Sequence, residues 1–359
     1  MKKLNRVKRK TVVIPLVIIG VIIVGLFWTT DYYYIASGTV DDLTGVVEVH
    51  PAWGEADLDH KDGRHKTDAK SGGFHVVSVP VHNARVYHLL CNIFIEDIGV
   101  EQIAWRREKE EKGILDEHLE SLFEKGVHHA KALTAYFKAP DRVRFGYEIE
   151  ALHKANTGLE EGDVITGFNG QPVTPINTPW SSCFSADALN DLGFRVESWE
   201  FNIKRDVENE TITSTLVSHA STGWLAGNDS DQYLVQRLPL GVLPKLTARL
   251  DPEFLEAVTV DRDGRGDSGS LMYGLAMLNA FTEMDLAGGK TIAGSGRLRL
   301  NGKILSVNGV AQKVMAAESE GIEIFLISPY DYEEAKQYAE EMHVIPVDSI
   351  YEALKVLTH

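Results

Sequence analysis

Cysteine is scarce. Two residues, Cys91 and Cys183, in a chain of 359 exclude a disulfide framework, which needs several bridges in a short chain; buried free thiols are the expectation. The thirteen histidines include His60, His65, His128 and His129, but none stands in a metal-ligand spacing, so they are read as solvated and no metal or other cofactor is expected. Positive charge is also short. The net charge is −16, and because Lys2, Lys3, Arg6, Lys8, Arg9 and Lys10 carry six positive charges, the remainder stands at −22. Such a body repels nucleic acid, which is excluded as a partner. A Gly-x-x-x-x-Gly-Lys-Ser/Thr phosphate loop is missing as well, so no nucleotide-driven motor is expected. Apolar residues at 44% and charged residues at 25% are ordinary globular usage, with room for two or three domains.

What is present centres on Gly266-Asp267-Ser268-Gly269-Ser270-Leu271 and on Lys313 in Asn308-Gly309-Val310-Ala311-Gln312-Lys313. A serine hydroxyl is inert as a nucleophile until a neighbouring base takes its proton. Lysine serves as that base if burial lowers its pKa from about 10.4. Leu271, Leu275, Leu278 and Phe281 recur at helical spacing, which places Ser268 at a helix N-terminus whose free N–H groups suit an oxyanion. Lys313 likewise opens an apolar, alanine-containing helix after a glycine turn.

Residues from about 225 to 357 resemble the proteolytic domain of the Lon protease family. The family's Gly-Pro-Ser-Ala-Gly-Leu is matched at Gly266, Ser268 and Leu271, and Ser306-Val307-Asn308-Gly309 stands where its lysine turn lies. Ile292 to Gly296, then Leu298, Leu300 and Gly302, resemble its strand and hairpin, with Ser295 as the hydroxyl near the lysine. Ala316-Ala317, Gly321-Ile322, Ile324 to Ile327 and Val347 to Leu354 follow in the family's order. The resemblance implies catalysis by Ser268 and Lys313, with Ser295, Gly266, Asp267 and Gly269 in support. Asp267 replaces the family's proline, Gly269 and Ser270 its Ala-Gly, and Asn308 the first glycine of the lysine turn. Gly-Asp-Ser-Gly also resembles the nucleophile loop of chymotrypsin-like serine proteases, which needs an upstream histidine and aspartate. His219 lacks that family's surroundings, however, and a helical pattern follows Ser268 where a strand would be needed.

Ahead of this region, residues 1–10 read as a cytoplasmic basic tail and 11–30 as a transmembrane helix. Thr11 to Trp28 is an eighteen-residue uncharged run, and Trp28, Tyr32, Tyr33 and Tyr34 suit an outer interface. The positive-inside rule then sends the bulk of the chain outside; a signal peptide cleaved near Ala36-Ser37-Gly38 is the alternative. Residues 35–100 alternate as a small β-rich module beside the membrane, 101–139 as a helical connector ending at Pro140. Residues 140–220 resemble a PDZ domain: Phe145-Gly146-Tyr147-Glu148-Ile149, Gly162-Asp163-Val164-Ile165 and Phe168-Asn169-Gly170-Gln171-Pro172-Val173 give its strand, turn and hairpin, with Ser185 to Leu192 as the groove helix. The resemblance implies peptide binding at Phe145, Gly146 and Tyr147 by strand addition.

The expected fold class is α+β multidomain: a transmembrane helix, a β-rich module, a PDZ-like domain and a Lon-type α/β proteolytic domain. That order resembles the membrane-anchored Lon-like PDZ proteases of Gram-positive bacteria. It implies ATP-independent cleavage of extracytoplasmic peptides or small membrane-proximal proteins, with a homo-oligomer, a hexamer by family resemblance, as a further expectation. The competing reading is a catalytically inactive peptide-binding scaffold.

Overall fold

The computed structural model describes residues 19–20, 22–50, 72–92, 99–152, 159–168, 170–176, 199–205, 208–214, 242–282 and 285–358. In chain order the elements begin with β1 (Thr29–Ile35), β2 (Thr39–Asp42), β3 (Val47–Val49), β4 (Gly73–Ser78), β5 (Val81–Arg85) and α1 (Val86–Cys91). Then come β6 (Gly99–Glu101), α2 (Ala104–Glu111) and α3 (Leu115–Lys138). The middle of the chain gives β7 (Val143–Leu152), β8 (Val164–Phe168), β9 (Gln171–Pro172), β10 (Trp199–Arg205), β11 (Glu208–Ser214) and β12 (Val242–Leu250). The last third holds α4 (Pro252–Ala257), β13 (Val258–Val260), α5 (Ser270–Ala280), β14 (Thr291–Ser295), β15 (Arg297–Leu298) and β16 (Ile304–Leu305). It closes with α6 (Val310–Ser319), β17 (Ile324–Ile327), α7 (Tyr332–Ala335), β18 (His343–Pro346) and α8 (Ile350–Leu357).

The central sheet runs β18-β17-β14-β4-β2. β14 pairs in parallel with both β17 and β4, and β2 adds antiparallel to β4. β2 and β4 thus share one sheet with strands from the last third of the chain, while β5, β1 and β6 pair separately in that order. All four residues of β17 are buried, as expected for a strand covered on both faces. The period of two sorts its neighbours: Ile292, Ile324 and Leu326 face one core with Phe74 and Val76, while Ala293, Phe325 and Ile327 face the other with Val77.

α5 fills the first core. Every residue from Ser270 to Leu278 is buried, so the spacing that suggested one apolar face belongs to a helix enclosed on all sides. It packs against β4, β14, β15 and α3. α3 presents small residues there: a Cβ on Gly126 would lie 3.0 Å from Ser270 Cβ and 3.1 Å from Asp267 Cβ. Buried His129 of α3 donates from Nδ1 to the Leu298 carbonyl at 2.9 Å, fixing α3 to β15. The second core lies under α6, whose Val310, Val314 and Ala317 recur at helical spacing against the sheet.

The stretch Phe254 to Val260, expected as a strand feeding the nucleophile turn, is half helix. Asp251 caps α4 by accepting from Glu253 N at 2.9 Å, and Pro252 opens it. N-cap aspartate followed by proline is a helix start, and it outweighs the apolar run. β13 follows and pairs with β3.

The second sheet runs β11-β10-β8-β7-β12, with β9 on β8. Gly162, at φ +90°, turns the chain into β8, and Asp163 is held by Arg205 at 2.7 and 2.8 Å. The expected groove helix, Ser185 to Leu192, lies outside the described residues, as do Cys183, His219 and half of the 11–28 run. Among the described residues, no helix is long and apolar enough to cross a membrane. Residues 22–26 are helical, and Ile22, Ile23, Val24, Phe27 and Trp28 are exposed. Cys91 is a free thiol.

Candidate active site

Ser268 sits in the turn that leads into α5, with Gly269 as the helix N-cap. Two glycines shape this turn. Gly266 takes φ +78°, which favours glycine, and its N–H donates to Leu119 O at 2.8 Å. At Gly269 a Cβ would lie 2.6 Å from Val76 Cγ2. The backbone of Ser268 is docked onto the end of β14: Gly296 N donates to Ser268 O at 2.7 Å and Ser295 Oγ donates to the same carbonyl at 3.2 Å. Sheet alternation puts Ser295 on the side of α6, where Lys313 lies one helical turn beyond Gly309. Lys313 Nζ donates to Ser295 Oγ at 3.1 Å. One hydroxyl therefore links the lysine amine to the main chain of Ser268.

Lys313 is 3% exposed. Burial lowers its pKa to about 8, against the upward pull of Asp331, Glu101 and Asp267 and with a further push down from Arg297. A neutral amine is thus accessible near neutral pH, with its lone pair available for a proton. Asp331 is itself raised by burial, and is held back by bonds from Ser306 Oγ and from Val307 N at 3.0 Å. Arg297 Nε donates to Ser306 O at 2.8 Å, closing this side of the site.

The departures from the Lon pattern acquire physical reasons here. Ser270 is buried, donates to Asp267 O at 2.6 Å and accepts from Leu298 N at 2.7 Å. Its hydroxyl therefore holds the nucleophile turn to β15. Reverting Ser270→Gly leaves the Leu298 N–H unpaired, and urea unfolding should show a loss of about 1–3 kcal/mol. Asp267 is buried beside Gly126 and adds to the negative field on Lys313.

Phe145, Gly146 and Tyr147 lie on β7 of the second sheet, whereas Ser295 lies on β14 of the central one. Their strand pairs with Ala248, Thr247 and Leu246 of β12 on one side, and at Tyr147 with Ile165 of β8 on the other. A peptide adding to the edge of β7 that β12 occupies would have to displace β12. Among the described residues no group of acidic, histidine or cysteine side chains is arranged to hold a metal ion.

Residues 257–359 match the Lon protease (S16) C-terminal proteolytic domain. A Lon-type proteolytic domain is present. Over 94 residues, 25% of the chain, the sequence is 32% identical to the Archaeal Lon protease of Halobacterium salinarum; this covers 13% of that protein's length. The Lon-type domain supports a serine peptidase. The fold brings Lys313, Ser295 and the Ser268 main chain together and sets Glu101, Arg297 and Asp331, which no sequence motif marks, around the lysine. Glu101 bonds to Asn308 across 207 positions, and no local pattern signals a contact of that length.

Proposed function

We propose that this chain is a membrane-anchored, ATP-independent serine endopeptidase acting through a Ser268/Lys313 dyad. The observation that carries the reading is a fully buried lysine with a depressed pKa, hydrogen-bonded to the hydroxyl that grips Ser268. In the proposed cycle Lys313 takes the Ser268 hydroxyl proton as Oγ attacks the scissile carbonyl. Lys313 then returns it to the leaving amine, and water releases the acyl group. Backbone N–H groups beside Ser268 are the oxyanion donors. Ser295 keeps the lysine oriented.

The proton acceptor must be unprotonated, so kcat/KM should rise with pH and level off above about 8. Initial rates on an unstructured peptide between pH 6 and 10 test this; a profile flat across that window would contradict Lys313 as the base.

Anchoring is supported by the uncharged run ending at exposed Phe27 and Trp28 and by the basic cluster before it, which also orients the bulk of the chain outward. Resistance of the full chain to alkaline carbonate extraction is the expected outcome. The second sheet, with its Gly162-Asp163 turn, supports a PDZ-like module; with β7 paired on both sides, we assign it a spacing role. Short extracytoplasmic peptides and membrane-proximal segments are the proposed substrates, and a ring of copies the proposed assembly.

A further inference from the structure

The lysine helix is held by a part of the chain that lies far outside the Lon-type region. β6 pairs with β1 at Tyr33, Tyr34 and Ile35, and these two strands press on the start of α6 at three points. Glu101 accepts from Asn308 Nδ2 at 3.2 Å and from Gly309 N at 3.3 Å. Gly99 lies so close to Gln312, the residue before the lysine, that a Cβ there would sit 2.7 Å from its amide. A Cβ on Gly309 would lie 3.1 Å from Ile35 Cγ2, and Gly309 takes φ +68°.

We propose that Glu101 is a positioning residue that latches the lysine helix to the β1/β6 sheet, making catalysis at Ser268 depend on the amino-terminal segment. This rests on the dyad reading given above. Three carboxylates share the entry to α6: Asp331 on Val307 N, Glu101 on Gly309 N and Glu334 on Ala311 N. Negative groups at a helix start satisfy its unpaired N–H groups and oppose its positive end. Asn308, the departure from the family's lysine turn, is explained by the same contact, since its side-chain amide donates to Glu101. The charged groups acting on the Lys313 amine are Asp331, Glu101, Asp267 and Arg297, so Glu101 acts on the lysine through both position and charge.

The test uses the full chain and a β-lactone acylating probe, with the rate of adduct formation followed by intact mass from pH 6 to 10. Glu101→Gln keeps an acceptor for Gly309 N–H but removes the charge that favours the ammonium. Its plateau should stay near that of the wild type while its midpoint moves to lower pH. Glu101→Ala also loses the latch. Its plateau should fall about tenfold or more, as expected for a displaced catalytic group, and hydrogen exchange at Gly309 to Lys313 should speed up. An unmoved midpoint in Glu101→Gln, or a wild-type plateau and wild-type exchange in Glu101→Ala, overturns the proposal. If the wild type forms no adduct, the dyad reading fails separately and hydrogen exchange decides the latch: unchanged protection in Glu101→Ala refutes it, and faster exchange upholds it.

Discussion

Ser268→Ala and Lys313→Met should each lower peptide hydrolysis by about 10³-fold or more, as removal of a nucleophile or its base does in serine peptidases. Stability separates lost chemistry from a lost fold. Ser268 Oγ can be deleted while the Ser268 carbonyl keeps its bonds from Gly296 N and Ser295 Oγ, so the melting temperature should hold. For Lys313 the native pKa, about 8, lies below the ordinary 10.5. The unfolded chain therefore binds more protons between these values, and wild-type stability gains with rising pH there, by on the order of 3 kcal/mol. Below about pH 8 the native state carries the full cost of a buried ammonium. Lys313→Met lacks this term, so denaturant titrations at pH 7 and pH 10 should show the wild type gaining on the variant as pH rises. Hydrolysis persisting in either variant, with the fold intact, would contradict the dyad.

The second large effect concerns what the matched region needs in order to fold. Residues 257–359 contain α5, β14, β17 and α6 but neither β4 nor α3. Removing those two elements uncovers β14 along one edge and the faces of α5 packed on them, among them Tyr273, whose ring meets Phe123 of α3, and Gly274 beside Ala130. Each large apolar side chain so uncovered costs about 1.5–3 kcal/mol, and a whole domain is stable by only about 5–15 kcal/mol. The unpaired edge adds a site for aggregation. Expressed alone, residues 257–359 should lack a cooperative melting transition or aggregate, whereas residues 29–359 should unfold cooperatively. Cooperative unfolding of the short fragment would show that β4 and α3 are dispensable.

Local patterns made much of the carboxy-terminal region legible in the sequence. α3 follows from spacing and from Pro140, β17 from four consecutive apolar residues, and Lys313 from its glycine turn. The resemblance implied that Ser295 lies beside Lys313, and the structure joins the two and links Ser295 to the Ser268 main chain. The placement of β4 between β2 and β14 was not readable. Its alternation in Gly73 to Ser78 gives a strand but no partner, and the partner is more than 200 positions away. Glu101 is hidden for the same reason, and α4 departs from the strand that its apolar content suggests because the Asp251-Pro252 start signal outweighs it. Ser270 and Asn308 looked like losses against the family pattern. In the fold each makes a specific bond, to Leu298 N and to Glu101.

The most direct test of the central claim is intact-mass analysis of the chain after exposure to a serine-reactive acylating probe, with peptide mapping of the adduct. A single adduct on Ser268, absent in both Ser268→Ala and Lys313→Met, is the predicted result. An adduct on another residue, one that survives in Lys313→Met, or none on a folded wild-type chain would contradict it.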